Sequence, residues 1–98
     1  MNLTAYPPEL LSFLKSIASE SRIHILMLFL DGEERTVQQI TQAVGLGQSA
    51  TSEHLALMKS AGVLTSRKEG KEVYYRPDRN KILAMLDALS GLLRNCCN

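Results

Sequence analysis

Tryptophan is absent and aromatic residues make up only 5% of the 98-residue chain. The core therefore has to be assembled from Leu, Ile, Val, Met and Ala. Cysteine is nearly absent too: Cys96 and Cys97 are the only two, and being adjacent they cannot staple distant segments together. The longest apolar run, around Ile25 to Leu30, is far too short to span a bilayer. The opening Met1-Asn2-Leu3-Thr4 lacks the basic and apolar stretches of a secretory leader. A cytoplasmic protein with no membrane partner is the expectation. Catalytic groupings are missing as well: no nucleophile sits beside a base, no carboxylate pair shares a face, and no glycine loop cradles phosphate. Gly45-Leu46-Gly47 is too short for a dinucleotide fingerprint. The chain reads as a non-enzyme that requires no cofactor.

What is present fits one domain over residues 1–98 with one modest core, the size at which a partner subunit often hides apolar surface. The 45% hydrophobic and 21% charged content is that of a folded globular chain. The net charge of +1 conceals an uneven distribution. Between Lys59 and Lys81 stand seven basic and three acidic residues, a difference of +4; the rest has four basic and seven acidic, a difference of −3. Local potential decides where a polyanion docks, so this segment matters more than the total.

Pro7-Pro8-Glu9 opens a first helix carrying Leu10, Leu14 and Ile17 on one face. Ser19 is placed to cap a second helix running through Leu30, apolar nearly all round and so expected at the centre of the core. Asp31-Gly32-Glu33-Glu34 turns the chain. Thr36 caps a third helix to Val44, with Val37, Ile40 and Val44 inward. Gly45-Leu46-Gly47 breaks it, with Leu46 expected to plug the corner. A fourth helix from about Gln48 to Ala61 ends at Gly62. Two strands, 63–66 and 72–76, flank a turn at Glu69-Gly70-Lys71. A last helix from Asp78 to Asn95 aligns Ile82, Met85, Leu86, Leu89, Leu92 and Leu93. The fold class is mainly α with a small β-hairpin, a winged helix-turn-helix in the order α-α-α-α-β-β-α.

In the fourth helix Ala50, His54, Leu57, Met58 and Ala61 fall on one side; Ser49, Ser52, Glu53, Ala56 and Ser60 fall on the other, with Gln48 and Thr51 beside them at the start. A helix entering the major groove needs short polar residues in its first turns, where the groove wall is close. Gln48 has the geometry to pair with an adenine edge, and Glu53 would have to accept from a cytosine amine to escape phosphate repulsion. The hairpin offers Arg67, Lys68 and Lys71 as cations for phosphates or the minor groove. The same features taken singly describe an amphipathic surface helix and a solvated hairpin. His24 and His54 stand at largely apolar positions and read as packed residues rather than ligands.

From Leu14 to Leu93 the sequence resembles the ArsR/SmtB family of bacterial winged helix-turn-helix repressors, most specifically in SESRIHILMLFLDGE and GQSATSEHLALMKSAGVLTSRKEGKEVYYR. The resemblance implies a homodimer joined through the first and last helices, a palindromic double-stranded DNA operator, and an effector that lowers DNA affinity. By position it implies DNA contacts from Gln48, Ser49, Thr51 and Ser52, and from Arg67, Lys68 and Lys71 in the wing.

The family's metal sites do not carry over. Where arsenic and cadmium sensors have a Cys-x-Cys pair, this chain reads Arg35-Thr36-Val37-Gln38-Gln39; where zinc, nickel or cobalt sensors place ligands in the last helix, it has Arg79, Lys81, Leu92 and Asn95. Cys96-Cys97 is left as the candidate effector site, for As(III) or another thiophilic ion, or for oxidation. A third thiol ligand would have to come from the other subunit or from solution. The alternatives are a repressor with no metal sensing and a winged helix that docks proteins, its hairpin on an acidic partner. Ser49 and Ser52 on the exposed face argue against protein docking, which favours aromatic or aliphatic anchors.

Overall fold

The computed structural model describes residues 6–96. Five α-helices, one 3₁₀ turn and three strands follow one another as α1 (Glu9–Ile17), α2 (Glu20–Met27), the 3₁₀ turn (Leu28–Asp31), β1 (Arg35–Thr36), α3 (Val37–Val44), α4 (Gln48–Ser60), β2 (Leu64–Glu69), β3 (Glu72–Pro77) and α5 (Arg79–Cys96). The helix boundaries follow the capping chemistry. Ser19 accepts from the Arg22 N–H at the start of α2. Thr36 and Gln39 form a reciprocal capping box at the start of α3. Gly45 ends α3 in the left-handed region at φ 72°, where a side chain would be strained.

Buried Phe13, Ile25, Ile40, Leu55, Met58, Val63 and Leu64 form the centre of the core, gathered from α1, α2, α3, α4 and the root of β2. Both phenylalanines are used, Phe29 joining Phe13 inside, so the core is less purely aliphatic than the composition suggests. The second helix departs further from expectation. It stops at Met27, tightens into the 3₁₀ turn, and buries only Ile25 and Phe29, while Met27 and Leu30 are 56% and 78% exposed. Short helices have one inward face, so an apolar sequence all round cannot all be buried.

The sheet has three strands in the order β1-β3-β2, all antiparallel. The two-residue β1 pairs Arg35 with Tyr75 and Thr36 with Tyr74, tying the wing to the body beside α3. In the hairpin Glu69 faces Glu72 across the two-residue turn Gly70-Lys71, with Gly70 at φ 61° as a type II′ turn demands of its first central residue. The strands run longer than the alternation alone suggests, to Glu69 and Pro77. Among the described residues no helix is long and apolar enough to cross a membrane.

Candidate nucleic-acid interface

Helix α4 is held by an inward stripe of Thr51, Leu55 and Met58, all fully buried. That stripe is one residue out of step with the expected one. Leu55 takes the central place, whereas Leu57 is 43% exposed. It also corrects the candidate set. The Thr51 hydroxyl donates to the Gly47 carbonyl at 2.9 Å inside the core and cannot face DNA. A β-branched side chain with its hydroxyl returned to the preceding turn packs as valine does.

Gln48, Ser49, Ser52, Glu53 and Ala56 are all exposed and recur at the spacing that keeps them on one outward face. Gly47, in extended conformation, precedes the helix without a side-chain cap, so no side chain shields the N–H groups of the first turn. Leu46 in the corner is half-buried. The result is a short-side-chain polar face carried on a rigid apolar base.

Arg22, which sequence reasoning did not single out, ties α4 to α1 and α2. Its Nε donates to the Ser16 carbonyl at 2.7 Å and its Nη2 to the Lys15 carbonyl at 3.2 Å, satisfying the end of α1. Its Nη1 donates to His54 Nδ1 on α4 at 3.1 Å. One guanidinium fork thus joins α1, α2 and α4. His54 is half-buried and hydrogen-bonded, as expected of a packed histidine.

The wing splits the three predicted cations. Lys68 and Lys71 are exposed and form no salt bridge among the described residues. Arg67 is different. Its Nε lies 3.0 Å from both Glu34 carboxylate oxygens, its Nη2 donates to Glu34 Oε1 at 2.9 Å, and its Nη1 donates to Glu69 at 2.6 Å. Its guanidinium also stacks over the Tyr74 ring, 4.7 Å from the centroid. The hydrogen bond from Arg67 holds the Glu34 carboxyl below its ordinary range, helped by the charges of Arg67 and Arg76. The bonds to Glu34 and Glu69 hold Arg67 above its own ordinary value. As folded, Arg67 is a strut between wing and body whose charge is already matched. The signal for this clamp was Glu34, 33 residues away in the chain and readable only once β1 and β2 flank β3.

Among the described residues no group of three or more His, Cys, Asp or Glu side chains could hold a metal ion. Cys97 lies outside the described residues, and Cys96 is the last residue of α5, its side chain not described.

The profile of the bacterial regulatory proteins of the arsR family matches residues 19–66, from the cap of α2 into β2. The chain is 37% identical over 79 residues to the transcriptional activator HlyU of Vibrio cholerae, covering 81% of this chain and 72% of that protein. It is 36% identical over 78 residues to the HTH-type transcriptional repressor SmtB of Mycobacterium tuberculosis, covering 79% of this chain but only 57% of that longer protein. Its structure superposes on the homodimeric winged helix-turn-helix DNA-binding domain Mb0332 of Mycobacterium bovis, with a TM-score of 0.70 and 32% identity over 89% of this chain and 79% of that one. The chain therefore belongs to the ArsR family, and is a winged helix-turn-helix transcriptional regulator of the DNA-binding kind rather than an enzyme.

Proposed function

We propose that the protein is a homodimeric, cytoplasmic repressor whose single domain per subunit reads one half of a palindromic operator. The observation that carries this reading is the outward face of α4: Gln48, Ser49, Ser52 and Glu53 lie exposed behind an uncapped glycine, on a helix whose opposite face is fully buried. Gln48 and Glu53 would read base edges, Ser49 and Ser52 would take phosphate oxygens or thymine-side contacts, and Lys68 and Lys71 would bind phosphate from the wing. Arg67 would set the angle of the wing. Dimerisation would use α1 and α5, where Leu11 and Leu86 remain 49% and 45% exposed in one subunit.

Release by an effector at Cys96-Cys97 belongs to the same proposal. Two adjacent thiols suit a soft ion such as As(III), or oxidation, and α5 would carry the change into the dimer interface. Cys96 is the last residue of the helix proposed to join the subunits.

Selection of bound duplexes from a random pool tests the DNA reading: enrichment of an inverted repeat is expected, and recovery of no sequence preference would overturn it. The sign of regulation is read by a reporter behind the selected site, since the Mycobacterium tuberculosis relative is named a repressor and the Vibrio relative an activator. Expression should fall when the protein is present. Replacing both Cys96 and Cys97 by Ser should abolish operator release by As(III) and by peroxide; a double variant that still responds removes the cysteines from the account.

A further inference from the structure

A cavity lies between the 3₁₀ turn, the end of β3 and the first turn of α5. It measures about 500 Å³, within the ~300–1,000 Å³ typical of small-molecule sites. Its body is apolar, formed chiefly by Leu26, Phe29, Leu30, Ile82 and Leu83. Leu30, the most exposed large apolar side chain among the described residues at 78%, stands among its walls. A second, polar cavity of about 350 Å³ is also lined by Arg76, Pro77 and Arg79, and adds Thr65, Asp78 and Asn80.

Arg76 and Arg79 line both cavities. Neither forms a salt bridge among the described residues. The charge of Arg76 acts on Glu34, which Arg67 already holds through three contacts of 3.0 Å or less. Two acidic residues share the walls, Glu33 in the apolar chamber and Asp78 in the polar one. Asp78 is engaged, accepting the Lys81 N–H at 3.1 Å as the cap of α5. Across the two chambers the same two cations stand with two anions, of which Asp78 is already engaged in capping α5.

We propose that the apolar chamber binds an amphiphilic carboxylate, its aliphatic body against Leu26, Phe29 and Leu83 and its head between Arg76 and Arg79 on the rim. Guanidinium forks match carboxylates in a two-bond geometry that an ammonium or a neutral hydroxyl head cannot reproduce. The apolar chamber supplies affinity in proportion to the ligand surface it removes from water. This proposal concerns binding alone and is independent of any operator.

The test is a titration of the full-length protein with decanoate, followed by methyl resonances of Leu26, Leu30, Ile82 and Leu83 and by calorimetry, with decanol and decyltrimethylammonium as head-group controls. Decanoate should shift those methyls and saturate. The double substitution R76Q/R79Q should weaken decanoate at least tenfold while leaving the weaker decanol binding unchanged. Leu30→Glu, at a site exposed enough to leave folding intact, should produce a comparable loss by placing a carboxylate at the chamber wall. Equal decanoate affinity in the double arginine variant would overturn the proposal. So would equal binding of the ammonium probe, or silence of the four methyls because a second subunit already fills the chamber.

Discussion

Four outward positions on α4 and three cations on the wing differ in what each side chain can still do. Thr51→Val should leave operator preference unaltered and lower stability by about 1 kcal/mol, because only the buried hydroxyl bond to Gly47 is lost. Gln48→Ala should do the reverse, keeping the melting temperature and relaxing one base position by about 1–3 kcal/mol in a specificity profile. On the wing, Lys68→Ala and Lys71→Ala should each reduce the slope of log affinity against log salt by about 1, measured by gel shift. Arg67→Ala should change that slope less, since Glu34 and Glu69 already offset its charge. Glu34→Gln should steepen it by freeing a cation and removing an anion beside the phosphates. That a polar helix face and a basic hairpin lie in this stretch was legible in the sequence; the inward turn of Thr51 and the division between free and matched cations were not, because they depend on how α4 packs and on a carboxylate brought in from before β1.

Elements whose boundaries rest on local chemistry were readable: the Ser19 and Thr36 caps, the Gly45 and Gly62 stops, and the turn at Gly70 all stand where the residues place them. Elements that rest on tertiary company were not. Two residues of β1 carry no periodic signal, and they form a strand only because Tyr74 and Tyr75 of β3 lie alongside. The uniform apolarity of 23–30 hid where α2 would tighten into a 3₁₀ turn. Because β1 and the Glu34–Arg67 contact together fix the wing, the wing should loosen in acid. Glu34 titrates below its ordinary value of 4.5 when folded, so its contribution is complete above that range and is lost as pH falls through the lowered value. Exchange of the Arg67 Nε proton, followed by NMR, should accelerate as pH falls through the lowered Glu34 value in the native chain but show no such step in Glu34→Gln. A fast exchange rate already at pH 7 would show that the clamp does not hold.

At the scale of the molecule, one subunit is elongated, 49 Å by 23 Å by 22 Å, with a radius of gyration of 15.1 Å where a compact chain of this length has about 13 Å. The excess goes with α5, an 18-residue helix of which Leu86 and Leu93 are 45% and 60% exposed, and with Leu11 of α1, 49% exposed. A second subunit packing along α1 and α5 would remove this apolar surface from water. Arg22 would then connect the interface to DNA reading, because it binds the last carbonyls of α1 and His54 of α4 with the same guanidinium. Leu86→Glu should accordingly yield monomers by analytical ultracentrifugation, with helical content preserved because Leu86 is 45% exposed in the single chain. Two half-sites one helical turn apart, about 34 Å, can be engaged together only by a dimer. The variant should therefore lose well over tenfold in affinity for the full inverted repeat, and little for an isolated half-site. A monomeric Leu86→Glu that holds the full repeat as tightly as the native chain would separate operator recognition from subunit pairing.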